Sequence, residues 1–241
     1  MELIYCFSIY LLKDKNSLDN ILKIFERSVQ YNKRFHPISI FTDKKSLSYL
    51  KDFNVNINLF NFKKFRFLDD IKLQILPLLN NNQILIDIDI FLYKRLDIQN
   101  KKDIVVEKVQ SINKPWYVEE LNLAKDYMFI NYLDVEKNTE IGNIGILKIN
   151  NKKLLEEYIE KYNKVTQSAK LESIPPFPRF SILFGQLLLQ NIIDKNNYSQ
   201  EVCENNKKNS YLHLGGSDKY NNTSRILKRY APYPPVEITA I

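Results

Sequence analysis

Glycine is scarce in this chain, with five among 241 residues. None of them forms a P-loop, a Gly-x-Gly-x-x-Gly turn or a nucleophile elbow, which excludes the usual kinases, Rossmann dehydrogenases and α/β-hydrolases. Cys6 and Cys203 have no Cys-x-x-Cys partner, so a disulfide framework and a zinc cluster are disfavoured. Four of the glycines occupy two places that we expect to tolerate no side chain, namely Gly142 with Gly145 and Gly215 with Gly216.

Long apolar runs are also lacking. The run at 3–12 is too short to cross a bilayer, and it has neither the basic region nor the small-residue cleavage site of a signal peptide. We therefore expect it to contain the first core strand, and we expect a cytoplasmic protein.

The charge balance is basic, with a formal net charge of +7. A basic surface favours anionic partners, which include nucleotides, nucleic acids and acidic membranes. The hydrophobic fraction of 44% is sufficient for a core. The length predicts a single domain over residues 1–241.

Apolar strands alternate with amphipathic helices through the first hundred residues. Strands are predicted at 3–9, 37–41, 55–60 and 84–91, and helices near 18–25, 47–50 and 71–79. This alternation predicts an α/β fold with a mostly parallel, Rossmann-like sheet and helices on both faces. In such sheets ligands bind at the carboxyl ends of the strands. Later elements are less regular, with strands at 103–109 and 142–150, a helix at 155–162 and a buried helix at 180–193.

The strand at 84–91 contains an Asp-x-Asp pair, Asp87 and Asp89. On an extended backbone, side chains two residues apart point to the same side, so both carboxylates can converge on one ion. Hard cations such as Mg²⁺ and Mn²⁺ prefer oxygen ligands, and acids among isoleucines are costly unless a positive charge compensates them. The pair therefore predicts a divalent-metal site. Alternating polar positions on a half-exposed strand would give the same spacing.

A second group of residues, 213–219, reads His-Leu-Gly-Gly-Ser-Asp-Lys. His213 offers a metal ligand, the two glycines offer a backbone cradle, and Lys219 offers a positive charge for phosphate. A surface turn with a hydrogen-bonded histidine is the alternative. We adopt that structural interpretation for the other histidine, His36.

These motifs resemble the GT-A glycosyltransferases, and within them the glycogenin/galactosyltransferase-like branch. The resemblance spans residues 1 to about 229 and rests on three motifs in order: Asp87-x-Asp89, Asn143-x-Gly145 and His213-x-x-Gly216-x-x-Lys219. It implies a GT-A-like fold with the nucleotide site at the strand carboxyl ends. Residues 1–100 would form the nucleotide-binding half, and 101–241 the acceptor half with a closing C-terminal segment.

The resemblance also implies roles for individual residues. Asp87, Asp89 and His213 would ligate Mn²⁺, or Mg²⁺ in its place. Asn143 and Gln186 would be the catalytic positions beside the sugar. Donor binding would fall to four residues, Lys72, Gly145, Gly216 and Lys219. Two departures leave the sugar and the stereochemistry open, namely Gly185 in place of an expected acid and Tyr220-Asn221 in place of Pro-Trp.

We therefore expect a metal-dependent glycosyltransferase that uses a nucleotide-diphosphate sugar, UDP-linked, and a saccharide or glycolipid acceptor. Peripheral attachment at the inner face of an anionic membrane would suit the basic charge. Three alternatives stay open. A sugar nucleotidyltransferase is disfavoured because no Gly-rich basic loop follows the first strand. A GT-A-like module could bind carbohydrate or a partner without catalysis. A nucleic-acid binder has no recognition helix or stacking motif to support it.

Overall fold

The computed structural model describes residues 1–9, 15–63, 69–115, 117–118, 140–168, 183–203 and 211–214. Two predicted donor-binding residues, Gly216 and Lys219, lie outside these ranges, and so does the Tyr220-Asn221 pair. The described strands are β1 (Glu2–Phe7), β2 (Ile38–Thr42), β3 (Asn56–Leu59), β4 (Gln83–Ile86), β5 (Ile90–Leu92), β6 (Ile104–Ser111), β7 (Glu140–Ile149), β8 (Gln200–Val202) and β9 (Tyr211–His213). The α-helices with assigned bounds are α1 (Lys15–Asn32), α2 (Asp69–Ile75), α3 (Lys152–Ser168) and α4 (Leu188–Asn196).

Seven of these strands form one sheet in the order β3-β2-β1-β4-β7-β6-β8. Neighbours are parallel in the pairs β1/β2, β1/β4, β2/β3 and β6/β8. Within this sheet β7 runs antiparallel to both of its neighbours, β4 and β6. The prediction of an α/β fold with a mostly parallel sheet flanked by helices is confirmed.

Helices cover both faces of the sheet because the strand side chains alternate between them. Tyr5 and Ile84 belong to one core cluster, which also contains buried residues of α1. Phe25 is the largest of these α1 residues. Ile4 and Leu85 point to the opposite cluster, which contains buried residues of α2, α3 and α4. The parallel strands β1, β2 and β4 are therefore buried on both faces, which accounts for their nearly continuous apolar sequences. The parallel strands at the two ends of the sheet, β3 and β8, are only partly buried.

The predicted strand at 84–91 is not continuous. β4 ends at Ile86, and the N–H of Ile90 then donates to the carbonyl of Asp87 across a turn, at 3.3 Å. β5 leaves the large sheet and pairs with β9 in a separate two-stranded antiparallel sheet. The prediction that Asp87 and Asp89 share one side of an extended strand was therefore wrong. They do follow the carboxyl end of a parallel strand, as expected.

Two predicted helices also differ from expectation. The segment near 47–50 forms two short 3₁₀ turns, Leu47–Tyr49 and Lys51–Phe53, instead of an α-helix. The helix predicted at 180–193 is described from Leu183 onward, where a π-helix, Leu183–Leu187, is continued by α4. In the described part of the chain, no helix combines the length and the apolar character needed to cross a membrane.

Candidate metal centre

The three predicted metal ligands meet at the carboxyl end of β4. Asp87, Asp89 and His213 each present one ligand atom, and these atoms lie within 4.8 Å of one another. His213 Nε2 lies 3.5 Å from Asp89 Oδ1 and 3.8 Å from Asp87 Oδ2. The structure thus brings together residues that are more than a hundred positions apart in the chain.

The turn that carries the two acids is fixed on both sides. On one side, the N–H of Asp87 donates to the carbonyl of Gly145 on β7, at 2.7 Å. On the other side, the carbonyl of Ile90 accepts hydrogen bonds from Ser28 Oγ at 2.6 Å and Asn32 Nδ2 at 2.8 Å, both on α1. Ser28 and Asn32 are fully buried. These two polar residues of an otherwise apolar helix face therefore hold the start of β5 in place.

His213 reaches the acids through strand pairing. On β9 it stands opposite Ile90 of β5, the residue that directly follows Asp89. The N–H of Leu214 donates to the carbonyl of Asp89 at 3.1 Å, which continues the contact past the strand end. The histidine is thereby held beside the turn by backbone hydrogen bonds.

A buried carboxylate lies behind the histidine. His213 Nδ1 donates to Glu107 Oε2 at 2.7 Å, and the side chain of Glu107 has no exposed surface. Sequence reasoning did not identify Glu107, because an acid in the middle of an apolar strand resembles an ordinary outward-facing position. The only signal was its position directly after the run Ile104-Val105-Val106, where an unpartnered acid would be costly.

A buried lysine contacts the other side of the acid pair. Lys72 Nζ on α2 lies 2.6 Å from Asp87 Oδ1 and donates to the carbonyl of Ile144 at 3.1 Å. Asp69, one helical turn earlier, lies 3.9 Å from the same ammonium group. The predicted donor-binding residue Lys72 is therefore next to the site, where it neutralises Asp87.

The buried charges shift one another's proton affinities. Burial by itself lowers the pKa of His213, but the carboxylates of Asp89 and Glu107 outweigh that effect and raise it to about 10. Burial likewise lowers the pKa of Lys72, while Asp87 and Asp69 raise it above its usual value. Burial raises the pKa of Asp69 to about 7. The acids thus favour positive charge here, and a metal ion would have to displace the His213 proton.

The other predicted site residues occupy different positions. Asn143 Oδ1 accepts a hydrogen bond from the N–H of Gly145 at 2.8 Å, which stabilises the backbone at the site's edge. Gln186 is buried, and its Oε1 accepts from the hydroxyl of Tyr117 at 2.9 Å. Their catalytic roles stay predictions. His36 is hydrogen-bonded as expected, since its Nε2 accepts from the N–H of Leu96 at 3.0 Å, but it is buried and not on the surface.

The resemblance led us to expect an acid at position 185, where this chain has Gly185. In the structure the carboxylate of Asp69 lies close to that position. A Cβ atom at Gly185 would lie 2.3 Å from Oδ2 of Asp69. The space that a larger residue at 185 would need is therefore filled by a carboxylate from α2. The sequence could not reveal this, because the two residues belong to segments more than a hundred positions apart.

The donor set fits a divalent ion. Carboxylate oxygens suit Mn²⁺ and Mg²⁺, whereas an imidazole nitrogen is more usual for transition metals. Mg²⁺ is generally bound by oxygen ligands and keeps several waters. Two carboxylates with one imidazole therefore favour Mn²⁺ over Mg²⁺. Three protein ligands also leave coordination positions for groups of a substrate.

A scan against protein-family models finds no match, and a search of curated proteins finds none. Among solved structures, the CTP:phosphocholine cytidylyltransferase LicC of Streptococcus pneumoniae has 14% identity and a TM-score of 0.47, covering 94% of this chain and 99% of that one. The PaToxG glycosyltransferase has 13% identity and a TM-score of 0.48, covering 81% and 69%. The glycosyltransferase GlyE of S. pneumoniae TIGR4 has 13% identity and a TM-score of 0.41, covering 83% and 45%. Both cytidylyltransferases and glycosyltransferases occur among these structures.

Proposed function

We propose that this protein is a metal-dependent glycosyltransferase that takes a UDP-linked sugar and transfers the sugar to a saccharide or glycolipid acceptor. The observation that carries the proposal is the convergence of Asp87, Asp89 and His213 after β4. Open α/β sheets bind their ligands at this edge. The resemblance of the three sequence motifs to GT-A enzymes supports a nucleotide-diphosphate sugar as the ligand.

The residues of the site divide the work between them. Asp87, Asp89 and His213 would hold Mn²⁺, and the chemistry that such an ion supplies is Lewis-acid stabilisation of the charge on a diphosphate leaving group. Lys72 fixes one oxygen of Asp87 and adds positive charge where little water competes with it. The surplus of acidic groups keeps the site selective for cations.

The remaining predicted contacts concern the donor and the sugar. Lys219 and Gly216 would bind the diphosphate, and Gly145 would line the donor site. Asn143 and Gln186 would lie beside the reacting sugar. A basic chain would suit an acceptor presented at an anionic membrane, and the net charge of +7 supports that part of the proposal.

Calorimetric titration of UDP with and without Mn²⁺ tests the proposal. We expect UDP to bind the wild-type protein in a Mn²⁺-dependent manner. Loss of a ligand in Asp89→Asn should weaken Mn²⁺ binding by about 100-fold or more, because even residues behind the ligands cost 10–100-fold. Asp97→Asn, which changes an exposed acid just beyond the same segment, is the matched control and should bind as the wild type does. Metal-independent UDP binding, or unchanged binding by Asp89→Asn, would refute the proposal.

Product assays separate the alternatives. A glycosyltransferase releases UDP from a UDP-sugar, at least slowly by donor hydrolysis in the absence of acceptor. A nucleotidyltransferase instead exchanges pyrophosphate into a nucleoside triphosphate. Metal-dependent nucleotide binding without either reaction would indicate a binding module that has no catalytic activity.

A further inference from the structure

We propose that Glu107 is a positioning residue of the metal centre, which fixes the imidazole of His213 so that Nε2 faces the two aspartates. The inference rests on the proposed function, because it concerns how that site holds its ion. Glu107 belongs to no motif of the sequence and contacts the site through His213.

The contacts define the orientation of the ring. Nδ1 of His213 donates to Glu107 Oε2 at 2.7 Å, while Nε2 lies 3.5 Å from Asp89 Oδ1. When a metal-binding imidazole donates through one nitrogen, the other nitrogen is left as the ligand. A carboxylate acceptor also makes the ring a stronger ligand than a neutral acceptor would.

The sheet is locally irregular at this contact. Val106 of β6 pairs with Leu147 of β7, and Lys108 pairs with Asn143. Between these two pairs β6 has one residue, Glu107, whereas β7 has three, residues 144–146. Bulges of this kind re-aim side chains and are frequent beside functional sites. The irregularity lets the side chain of Glu107 lie against His213.

Gly145 lies at the centre of this irregular segment. A Cβ atom there would lie 2.3 Å from Glu107 Oε2 and 2.7 Å from Cε1 of His213. The absence of a side chain at 145 therefore leaves the space that the Glu107–His213 pair occupies. Both the strand irregularity and the glycine serve the same hydrogen bond.

The free-energy cost of burying Glu107 indicates that its negative charge, and not only its shape, is needed here. Its Oε1 makes no hydrogen bond within the described residues, and it forms an ion pair with Nζ of Lys108 at 3.3 Å. A fully buried carboxylate is expensive even beside one lysine, because this oxygen has lost its hydrogen bonds to water. A glutamine of the same shape would fill this space at lower cost if packing were the only requirement.

A double-mutant cycle tests the inference. Mn²⁺ affinity is measured from the electron paramagnetic resonance signal of free Mn²⁺ for the wild type, Glu107→Leu, Glu107→Gln and His213→Ala, and for each Glu107 variant combined with His213→Ala. We expect Glu107→Leu to lower the affinity by about 10–100-fold. Glu107→Gln should lose less, since its amide oxygen can still accept from Nδ1. In the His213→Ala background, both changes at 107 should have no effect.

The controls separate positioning from packing. Glu201→Gln changes another carboxylate, on the neighbouring strand β8, whose buried Oε2 makes no hydrogen bond to any described residue; it should leave the Mn²⁺ affinity unchanged. Equal losses with and without His213 would show that Glu107 merely supports the fold, and unchanged affinity in Glu107→Gln and Glu107→Leu would overturn the inference. If Glu107→Leu does not fold, the Glu107→Gln cycle decides alone. A wild-type protein that binds no Mn²⁺ would overturn the proposed function as well, whereas failure of the cycle alone would leave that function standing.

Discussion

The two strands that flank β1, namely β2 and β4, are each followed directly by an aspartate, but the hydrogen-bond and charge partners of the two aspartates differ. Asp43, after β2, accepts hydrogen bonds at Oδ1 from the N–H groups of Lys45 at 2.8 Å and Ser46 at 3.0 Å, and at Oδ2 from Ser46 Oγ at 2.7 Å. Asp87, after β4, faces Lys72 at 2.6 Å and His213 at 3.8 Å. Asp43 therefore accepts hydrogen bonds from uncharged donors, whereas Asp87 faces two basic side chains.

The difference separates a structural carboxylate from one that can hold an ion. Asp43 uses its oxygens on uncharged donors, which are the hydroxyls of Ser8 and Ser46 and the backbone N–H groups of Lys45 and Ser46, so it closes a turn after the strand and ties it to the end of β1. Asp87 and Asp89 face cationic side chains that come from α2 and β9, and a metal ion can take over that role. Equivalent positions at the edge of one sheet thus serve different purposes, according to whether their partners are uncharged or cationic.

The largest expected effect on stability concerns the lysine that pairs with Asp87. Lys72→Met leaves Asp87 and Asp69 without their buried cation, and removal of one partner of a buried pair costs about 3 kcal/mol of unfolding free energy. Chemical denaturation measures this loss. Mn²⁺ should restore more stability to the variant than to the wild type, because the ion replaces the missing charge.

The control for Lys72 is a helix-surface pair. Lys161 lies 2.7 Å from Glu157 on α3, and Lys161→Met should cost about 0.5 kcal/mol or less. Similar losses in the two lysine variants would remove the distinction between the site and the surface.

Glycine substitutions on β7 provide an intermediate effect. Gly145→Ala forces Glu107 and His213 apart and should lower Mn²⁺ affinity by about 10-fold. Gly142→Ala, on the same strand, instead crowds Gln200 and Val106 and should cost about 1 kcal/mol of stability without changing Mn²⁺ affinity. Isothermal titration and thermal denaturation of both variants measure the two quantities. A fall in Mn²⁺ affinity in Gly142→Ala would show that the affinity responds to strand packing in general.

The smallest expected effect is at Asp43. Asp43→Asn should lower the unfolding free energy by about 1 kcal/mol at neutral pH and leave Mn²⁺ binding intact. Burial raises the pKa of Asp43, but hydrogen bonds from Ser8, Ser46 and Lys45 outweigh it and hold the pKa below the usual value of an aspartate. A carboxyl group whose pKa is lower in the folded state than in the unfolded state stabilises the protein at pH values above the unfolded-state pKa. This stabilisation is lost as the pH falls through the folded-state pKa. Denaturation curves of wild type and variant should therefore converge at acid pH, and a constant gap would contradict this assignment.

Much of the fold could be predicted from local patterns. The alternation of apolar strands and amphipathic helices was sufficient for the parallel sheet, because each pattern reflects burial of its own segment. The break after Ile86 could not be predicted. An unbroken run such as Ile-Asp-Ile-Asp-Ile resembles one strand. Only the strand pairing of Ile90 with His213, and the hydrogen bond from Asn32 to the Ile90 carbonyl, separate β5 from β4.

The site was predictable only in part. Asp87, Asp89 and His213 have the chemistry of ligands and occur in short motifs, so the sequence was sufficient to identify them as candidates. Glu107 was missed because its role depends on a shift in strand register, which no local pattern encodes. The contact between Asp69 and Gly185 was missed for the same reason, since it joins distant segments.

Diffraction from crystals soaked in MnCl₂ and UDP tests the central claim most directly, because the anomalous signal of manganese locates the ion. The account predicts a manganese peak within ligand distance of Asp87, Asp89 and His213 Nε2, with the UDP diphosphate on the same ion. The peak should be absent in Asp89→Asn and present in Asp43→Asn. UDP bound without manganese at this site, or manganese bound at another site beside the nucleotide, would contradict it.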